Sequence, residues 1–346
     1  MKITRGNRVP RSEHLSEPVN LTRMAVLQGT RALGAALCAG FILFFFSETL
    51  FWGRPGRAPL AELELTWLAY SVLAGATLWT LAHFRARGLP SLVLCGALYG
   101  WLAEGVLAGT LYQAFPMQVS WTGLAWHDLL SVCAGWYGLS TALRRGIWPT
   151  VLTTSGLGVF WGAWATTWWQ PQEGGFVTPL PAFAAHAFIQ GLLLAASFAV
   201  FPRLLGFVTF TSHTGSWLLA LFLGAWFALV TAPQYHLALL ILPPLLALTV
   251  VLLRRGRTGP DSWQTTSLRA DTPQDSLMAL LSRPPRWRRC AAVLLMPGWA
   301  VAVYVVLLTA NVAAPINLLT YWVLTPLGFV AYGFSVWKVW HTPDRV

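Results

Sequence analysis

Ten stretches of the chain are each long and apolar enough to cross a lipid bilayer as one helix. A helix needs about 20 mostly apolar residues to cross the hydrocarbon layer. The windows that meet this length are 26–52, 63–84, 89–113, 120–143, 146–169, 179–203, 216–233, 235–253, 290–312 and 316–340. They predict an all-α fold, a polytopic integral membrane helix bundle of about ten transmembrane helices. Only 10% of the residues are charged, against roughly 25% in an ordinary soluble domain, so the soluble classes are excluded.

The basic residues predict the orientation of these spans. If the N-terminus is cytoplasmic, all 23 Lys and Arg fall in cytoplasmic segments except Arg54 and Arg57. Cytoplasmic loops of membrane proteins collect Lys and Arg, so we expect both termini to be cytoplasmic, in the plasma (inner) membrane of a bacterium. The linker 232–235 is very short, and the seventh and eighth spans are therefore either two full crossings or one broken unit.

The same pattern divides the chain into five parts. These are a basic cytoplasmic segment 1–25, an eight-helix membrane core 26–253 that carries the candidate site, a basic cytoplasmic loop 254–289, a terminal transmembrane pair 290–340 and a cytoplasmic tail 341–346. The net charge of +11 follows from the cytoplasmic segments, so nucleic acid is not expected as a partner. The predicted partners are membrane lipids, whose anionic headgroups attract arginine clusters. The sequence leaves the oligomeric state open.

Tryptophan is unusually frequent, with 20 residues, and many of them lie near the ends of predicted spans. Indole suits the headgroup region because its ring is apolar and its N–H needs a hydrogen-bond partner. Interfacial anchoring is therefore expected for most of them. Trp161, Trp164 and Trp168 share one helix face, for which an aromatic platform that binds a sugar or a lipid is the alternative.

Very few ionisable residues lie inside the predicted spans, and each is a candidate because such groups normally face a cavity or a partner. They occur on four spans, at depths of roughly 6–13 Å below the outer boundary by the helix rise. We predict Glu104 and His127 as the reactive pair, since their spans form a hairpin. The predicted substrate-binding residues are Glu48, Asp128, His186 and Gln190. Any bound metal would be held by Glu104, His127 and His186.

A group of carboxylates and imidazoles suits three tasks, and the sequence leaves all three open. It can relay protons or bind an ion during the handling of a small substrate, which is the leading expectation. It can serve an intramembrane hydrolase of lipid or peptide, by metal or by acid–base chemistry. It can also pair helices in a non-catalytic assembly protein. No motif requires a cofactor; zinc is the metal that His and Glu could hold, although HExxH is absent.

Three short motifs in residues 47–131 resemble those of the CPBP (Abi) intramembrane protease family. Residues 47–52, Ser-Glu-Thr-Leu-Phe-Trp, are similar to its Glu-Glu-x-x-x-Arg motif. Trp79-x-x-x-His83 is similar to Phe-x-x-x-His, and His127-x-x-x-Ser131 to His-x-x-x-Asn. Each motif departs from the family pattern by at least one residue. The predicted topology also places His83 at the opposite membrane face from Glu48, so a shared site with His83 is not expected.

Overall fold

The computed structural model describes residues 17–52, 59–208, 213–235, 238–256 and 276–341, and every regular element in them is helical. The helices are α1 (Glu17–Phe44), α2 (Leu60–His83), α3 (Gly88–Leu102), α4 (Val119–Gly138, then Leu139–Arg145), α5 (Ile147–Ala165), α6 (Leu180–Leu205), α7 (His213–Trp226), α8 (Ala238–Arg255), α9 (Leu277–Leu281), α10 (Trp287–Ala310) and α11 (Ile316–His341). The expected basic ends and most of the central loop, residues 1–16, 257–275 and 342–346, lie outside the described residues.

Three of these helices continue beyond their regular part. A π-helical turn, Phe45–Thr49, and the short Leu50–Trp52 extend α1, and a second π-helical turn, Ala103–Ala108, extends α3. The segments Phe227–Thr231 and Ala232–Gln234 extend α7. Helix α4 is itself π-helical over its first 20 residues.

Eight helices in the described part of the chain are long and apolar enough to cross a membrane, namely α1, α2, α3, α6, α7, α8, α10 and α11. This confirms an all-α membrane helix bundle. The predicted spans 120–143 and 146–169 correspond to α4 and α5, which are helical but are not among the eight. Both are rich in Trp, Gly, Ser and Thr, which lowers their mean hydropathy.

The bundle has a buried centre and an exposed periphery. In the apolar window of α3, 83% of the residues are buried, against 11% in that of α7. Helix α4 packs against α3 and α11, α1 packs against α2 and α6, and α5 packs against α10. At the α3–α4 contact an added Cβ atom at Gly100 would meet the backbone carbonyl of Gly123, and one at Gly96 would meet the Asp128 carboxyl group. Small residues permit such close packing of membrane helices.

The last part of the predicted loop 254–289 is docked on the bundle. The amide of Leu277 donates to the carbonyl of Ala86 at 3.1 Å, and the side chains of α9 are mostly buried. Arg144 donates to the carbonyls of Leu281 and Arg283, at 2.9 and 2.6 Å. This segment therefore closes the ends of α2 and α4.

The tryptophans divide between the surface and the interior. Trp148 and Trp217 are exposed near helix ends, as expected for interfacial anchors. Trp161, Trp164 and Trp168 are buried, so their shared face packs against other helices and not against lipid or water.

Candidate functional site

Three π-helical segments meet in the bundle centre, and each carries candidate residues. Phe45–Thr49 carries Glu48, Ala103–Ala108 carries Glu104, and Val119–Gly138 carries His127. A π-helix adds one residue to each turn, which redirects side chains relative to an α-helix, and such turns occur frequently at functional sites. The meeting of three such segments therefore indicates a functional region before any side-chain contact is considered.

His127 is hydrogen-bonded on both ring nitrogens. Its Nε2 lies 2.6 Å from Oε1 of Glu104, and its Nδ1 lies 2.9 Å from Oγ of Ser47. All three residues are buried, with exposed fractions of 2% for His127, 2% for Ser47 and 8% for Glu104. The predicted pairing of Glu104 with His127 is what the structure has, and Ser47 completes a line of three side chains from three helices.

Two further hydroxyl groups contact Ser47. The Oγ atom of Ser47 lies 2.9 Å from the hydroxyl of Tyr99 and 3.0 Å from Oγ of Ser131. Ser131 in turn donates to the carbonyl of Trp126 at 3.1 Å, five residues earlier on the π-helix. The indole of Trp126 donates back to the carbonyl of Ser47 at 3.1 Å, which ties α1 to α4.

The Ser47 hydroxyl has one hydrogen atom and several polar neighbours. It donates to Ser131 at 3.0 Å, and Ser131 can only accept there because its own hydrogen atom goes to the carbonyl of Trp126. Rotation of the Ser47 hydroxyl would direct the same hydrogen atom to Nδ1 of His127, 2.9 Å away. Tyr99 is the donor in its contact with Ser47 in either position. Ser131 and His127 therefore compete for one hydrogen atom.

The turn after α3 supplies another partner for Glu104. Gly109 adopts a left-handed conformation, with φ of 75°, and directs the chain back into the short helix Thr110–Tyr112. There the Thr110 hydroxyl donates to Oε2 of Glu104. The hydroxyl of Tyr112 donates to the carbonyl of Gly105 at 2.7 Å, which holds the turn against the π-helical segment.

Glu48 borders the same group. Its Oε1 accepts a hydrogen bond of 2.6 Å from Tyr70 on α2, and Glu48 itself is half-buried. The Tyr70 ring centroid lies 6.2 Å from that of His127, and the Tyr99 centroid lies 5.7 Å from it. A second carboxylate therefore lies beside the line of Ser47, His127 and Glu104, separated from it by the two tyrosine rings.

Aromatic side chains cover one flank of the site. Phe51 and Trp126 are 4.3 Å apart between ring centroids, and Trp126 and Trp164 are 4.8 Å apart. The indole of Trp164 donates to the carbonyl of Phe51 at 2.8 Å. This apolar cover keeps water from that flank, so electrostatic interactions inside the site are stronger than they would be in water.

Asp128 lies next to His127 in sequence but points elsewhere. Its Oδ1 accepts from Sγ of Cys133 at 3.3 Å, and its carboxyl group packs against Gly96 of α3. Its Oδ2 has no hydrogen-bond partner in the part of the chain that the structure describes. Adjacent residues of a helix point in different directions, which explains why the two side chains contact different neighbours.

His186 and Gln190 lie one turn apart on α6, which contacts α1 and α10. Within the described ranges, Nε2 of His186 and Oε1 of Gln190 have no hydrogen-bond partner, and neither residue joins the network around His127. Glu104 and His127 are therefore brought together without His186. No three His, Cys, Asp or Glu residues in those ranges are placed to hold a metal ion, so zinc as a cofactor stays a prediction.

The motif resemblance divides in the same way. Ser47, Glu48, His127 and Ser131 come together, whereas His83 lies at the end of α2 and stacks on Trp79 at 4.5 Å between ring centroids. Ser47 contacts Nδ1 of the His127 ring, and Glu104 contacts Nε2.

Tyr70, Tyr99 and Thr110 belong to the site but are absent from the sequence-based prediction, and Ser47 and Ser131 entered it only through motif similarity. The spacing of four residues between His127 and Ser131 is the sequence feature that pointed to Ser131. The hydroxyl residues carry no signal of their own, because Ser, Thr and Tyr are common throughout the spans.

Comparison with known proteins gives no relative: no family model, no curated protein and no solved structure matches the chain.

Proposed function

We propose that the chain is an intramembrane hydrolase in which Ser47 is the nucleophile, His127 the general base and Glu104 the residue that orients the imidazole. The observation that carries this proposal is the line of two hydrogen bonds, 2.9 Å from Ser47 to His127 and 2.6 Å from His127 to Glu104. A nucleophile within hydrogen-bond reach of a base, which is oriented by a third group, is the general signature of nucleophilic catalysis.

The chemistry assigns one step to each group. Oγ of Ser47 attacks the acyl carbon of an ester or amide while its proton passes to Nδ1 of His127, and Nε2–H stays hydrogen-bonded to the Glu104 carboxylate. The protonated His127 then gives its proton to the leaving alcohol or amine, and the acyl group stays on Ser47. Water, deprotonated by His127, hydrolyses that acyl-enzyme. In this proposal the Tyr99 hydroxyl, 2.9 Å from Ser47 Oγ, turns from the serine to the oxyanion as the oxyanion develops.

The substrate class follows from where the site lies. Ser47 and Glu104 belong to helices that are long and apolar enough to cross a membrane, which favours a substrate that enters from the bilayer. We propose a membrane-embedded acyl compound, either a lipid ester or a peptide. In this proposal α4 and α5 also cross the bacterial plasma membrane, which gives ten spans with both termini cytoplasmic. The distribution of Lys and Arg supports that orientation. In that orientation Glu104 lies toward the extracytoplasmic side.

Labelling of the full chain in detergent with an alkyl fluorophosphonate, which phosphonylates activated serines, tests the proposal. Wild-type protein is expected to carry one adduct, on Ser47, and Ser47→Ala is expected to carry none. His127→Gln is expected to label about 10²–10⁴-fold more slowly, since a positioned general base contributes that much. Ser335→Ala is the matched control, because Ser335 is a buried serine of α11 whose hydroxyl donates to Ala331 of the same helix.

Ion- or proton-linked handling of a small substrate is the second candidate, and the buried contact of 2.6 Å between Glu104 and His127 favours it. It predicts different results for the same variants. Folded wild-type protein would carry no adduct on Ser47, vesicles containing Ser47→Ala would still take up protons, and Glu104→Gln would abolish that uptake. No adduct on Ser47 in folded protein, or an adduct on another serine, would overturn the hydrolase proposal.

A further inference from the structure

A separate apolar cavity of about 580 Å³ lies between the buried centre and the peripheral helices. Four helices form its wall, α2, α3, α7 and α8, and most of the side chains that line it are apolar. The volume falls in the usual range for sites that hold a small-molecule ligand, about 300–1,000 Å³. A space of this size inside a membrane bundle and with such a lining suits hydrocarbon better than water.

Helix α3 separates the cavity from the hydrolase site. Leu98, Leu102 and Val106 line the cavity, whereas Tyr99 and Glu104 of the same helix contact Ser47 and His127. The two sites therefore occupy different faces of α3, and the inference below does not depend on the proposed function.

The cavity has the length of one leaflet. It runs along α8 from Leu242 to Arg254, which is about 18 Å by the helix rise. Half of the hydrocarbon layer is about 15 Å thick. A single acyl chain lying along α8 would thus extend from the bilayer surface to near the midplane.

One end of the cavity is basic. Arg254, in the last turn of α8, and His83, the last residue of α2, both line it. The neighbouring Arg255 lies over the Trp340 ring at 4.3 Å. Among the described residues, by contrast, no hydrogen bond or ion pair is made by the Arg254 guanidinium. An unpaired cation beside an apolar cavity fits a ligand that is anionic at one end and hydrocarbon along the rest.

We infer that this cavity binds a phospholipid with an anionic headgroup, its acyl chain between α3, α7 and α8 and its phosphate at Arg254. The apolar lining and the length of the cavity match the acyl chain, and the charge of Arg254 matches the phosphate. Given the proposed orientation, the lipid comes from the cytoplasmic leaflet, where anionic headgroups attract basic residues.

Photo-crosslinking in vesicles tests the inference. The probe is phosphatidylglycerol with a diazirine in its acyl chain, compared with the same chain on phosphatidylcholine. An added Cβ at Gly224 or at Gly333 meets no atom within 4 Å, but only Gly224 lines the cavity. Gly224→Phe is therefore expected to remove labelling of the α7–α8 region, and Gly333→Phe to preserve it. Arg254→Gln is expected to lower labelling by about fivefold, the effect of one basic residue near an anionic surface, while Arg255→Gln leaves it unchanged.

Each alternative result counts against the inference. Equal labelling of Gly224→Phe and Gly333→Phe would show that the crosslinks arise from lipid around the bundle and not from the cavity. Equal labelling by the two probes would remove the assignment of Arg254 to a phosphate. Circular dichroism and thermal unfolding of every variant establish that the differences do not come from misfolding.

Discussion

The hydroxyl groups of Thr309 and Ser335, in two outer helices, are hydrogen-bonded differently from that of Ser47 in the site. In α10 and α11, Thr309 donates to the carbonyl of Val305 at 3.0 Å and Ser335 to that of Ala331 at 2.8 Å, four residues earlier in each case. In the site, the Ser47 hydroxyl instead bonds to side chains of two other helices, at 2.9–3.0 Å. Thr309 and Ser335 thus bond within their own helices, although Thr249 of α8 also lies 2.8 Å from the Tyr332 hydroxyl of α11. The contacts of Ser47, by comparison, depend on three helices remaining in register.

This difference separates polar groups that one helix can satisfy alone from polar groups that need several helices in fixed positions. A lone Ser or Thr in an apolar helix satisfies itself on a backbone carbonyl one turn back, so its presence demands nothing of its neighbours. A line of side chains across helices demands exact helix positions, and in this bundle three π-helical segments and the close α3–α4 contact supply them. The same line would also serve to pair helices, which is why the first prediction concerns its energetics.

The largest effect on stability is expected from His127→Ala. The substitution leaves the buried Glu104 carboxylate with the Thr110 hydroxyl but without the imidazole, and removing a partner of a buried carboxylate costs about 3–5 kcal/mol. The free energy of unfolding in mixed micelles measures this loss. Adding Glu104→Gln to His127→Ala is expected to recover part of it, because an amide does not need the imidazole as a charge partner.

His186→Ala is the matched control, since His186 is also an intramembrane histidine but lies outside the network. It is expected to cost less than about 1 kcal/mol. Equal losses of unfolding free energy for His127→Ala and His186→Ala would contradict the stabilising role assigned to the network around His127.

An intermediate effect is expected at the α3–α4 contact. A side chain at Gly100 would meet the backbone carbonyl of Gly123, so Gly100→Leu is expected to cost about 1–3 kcal/mol as overpacking. At Gly333, where nothing lies near an added Cβ, Gly333→Leu is expected to gain about 0.5–1 kcal/mol from helix propensity. The same unfolding measurement compares them, and a loss at both positions would contradict the distinction.

The sequence predicted the contact between Glu104 and His127, which depends on how deep each residue lies in its span. Glu104 and His127 lie on consecutive spans at similar depth, and a hairpin brings such residues together. Depth does not specify which helices are neighbours, however, and α6 packs against α1 and α10. Among the described residues, His186 Nε2 and Gln190 Oε1 on that helix form no hydrogen bond to the site.

The hydroxyl residues of the site lay beyond prediction for a different reason. Ser47 and Ser131 are the same residue type as Ser335, and only the structure shows which of them bond across helices. The π-helical turns add to this, because a pattern read at 3.6 residues per turn misplaces every side chain that follows an inserted residue.

The smallest effect is expected from Ser131→Ala. Ser131 accepts a hydrogen bond of 3.0 Å from Ser47 and so competes with His127 for the one hydrogen atom of the Ser47 hydroxyl. The substitution removes this acceptor, whose hydrogen bond is worth about 1 kcal/mol, and leaves the hydrogen atom to His127. Fluorophosphonate labelling of Ser47 is therefore expected to become faster, by at most about fivefold. Ser335→Ala is expected to leave the labelling rate unchanged, and slower labelling of folded Ser131→Ala would refute the assignment of hydrogen atoms.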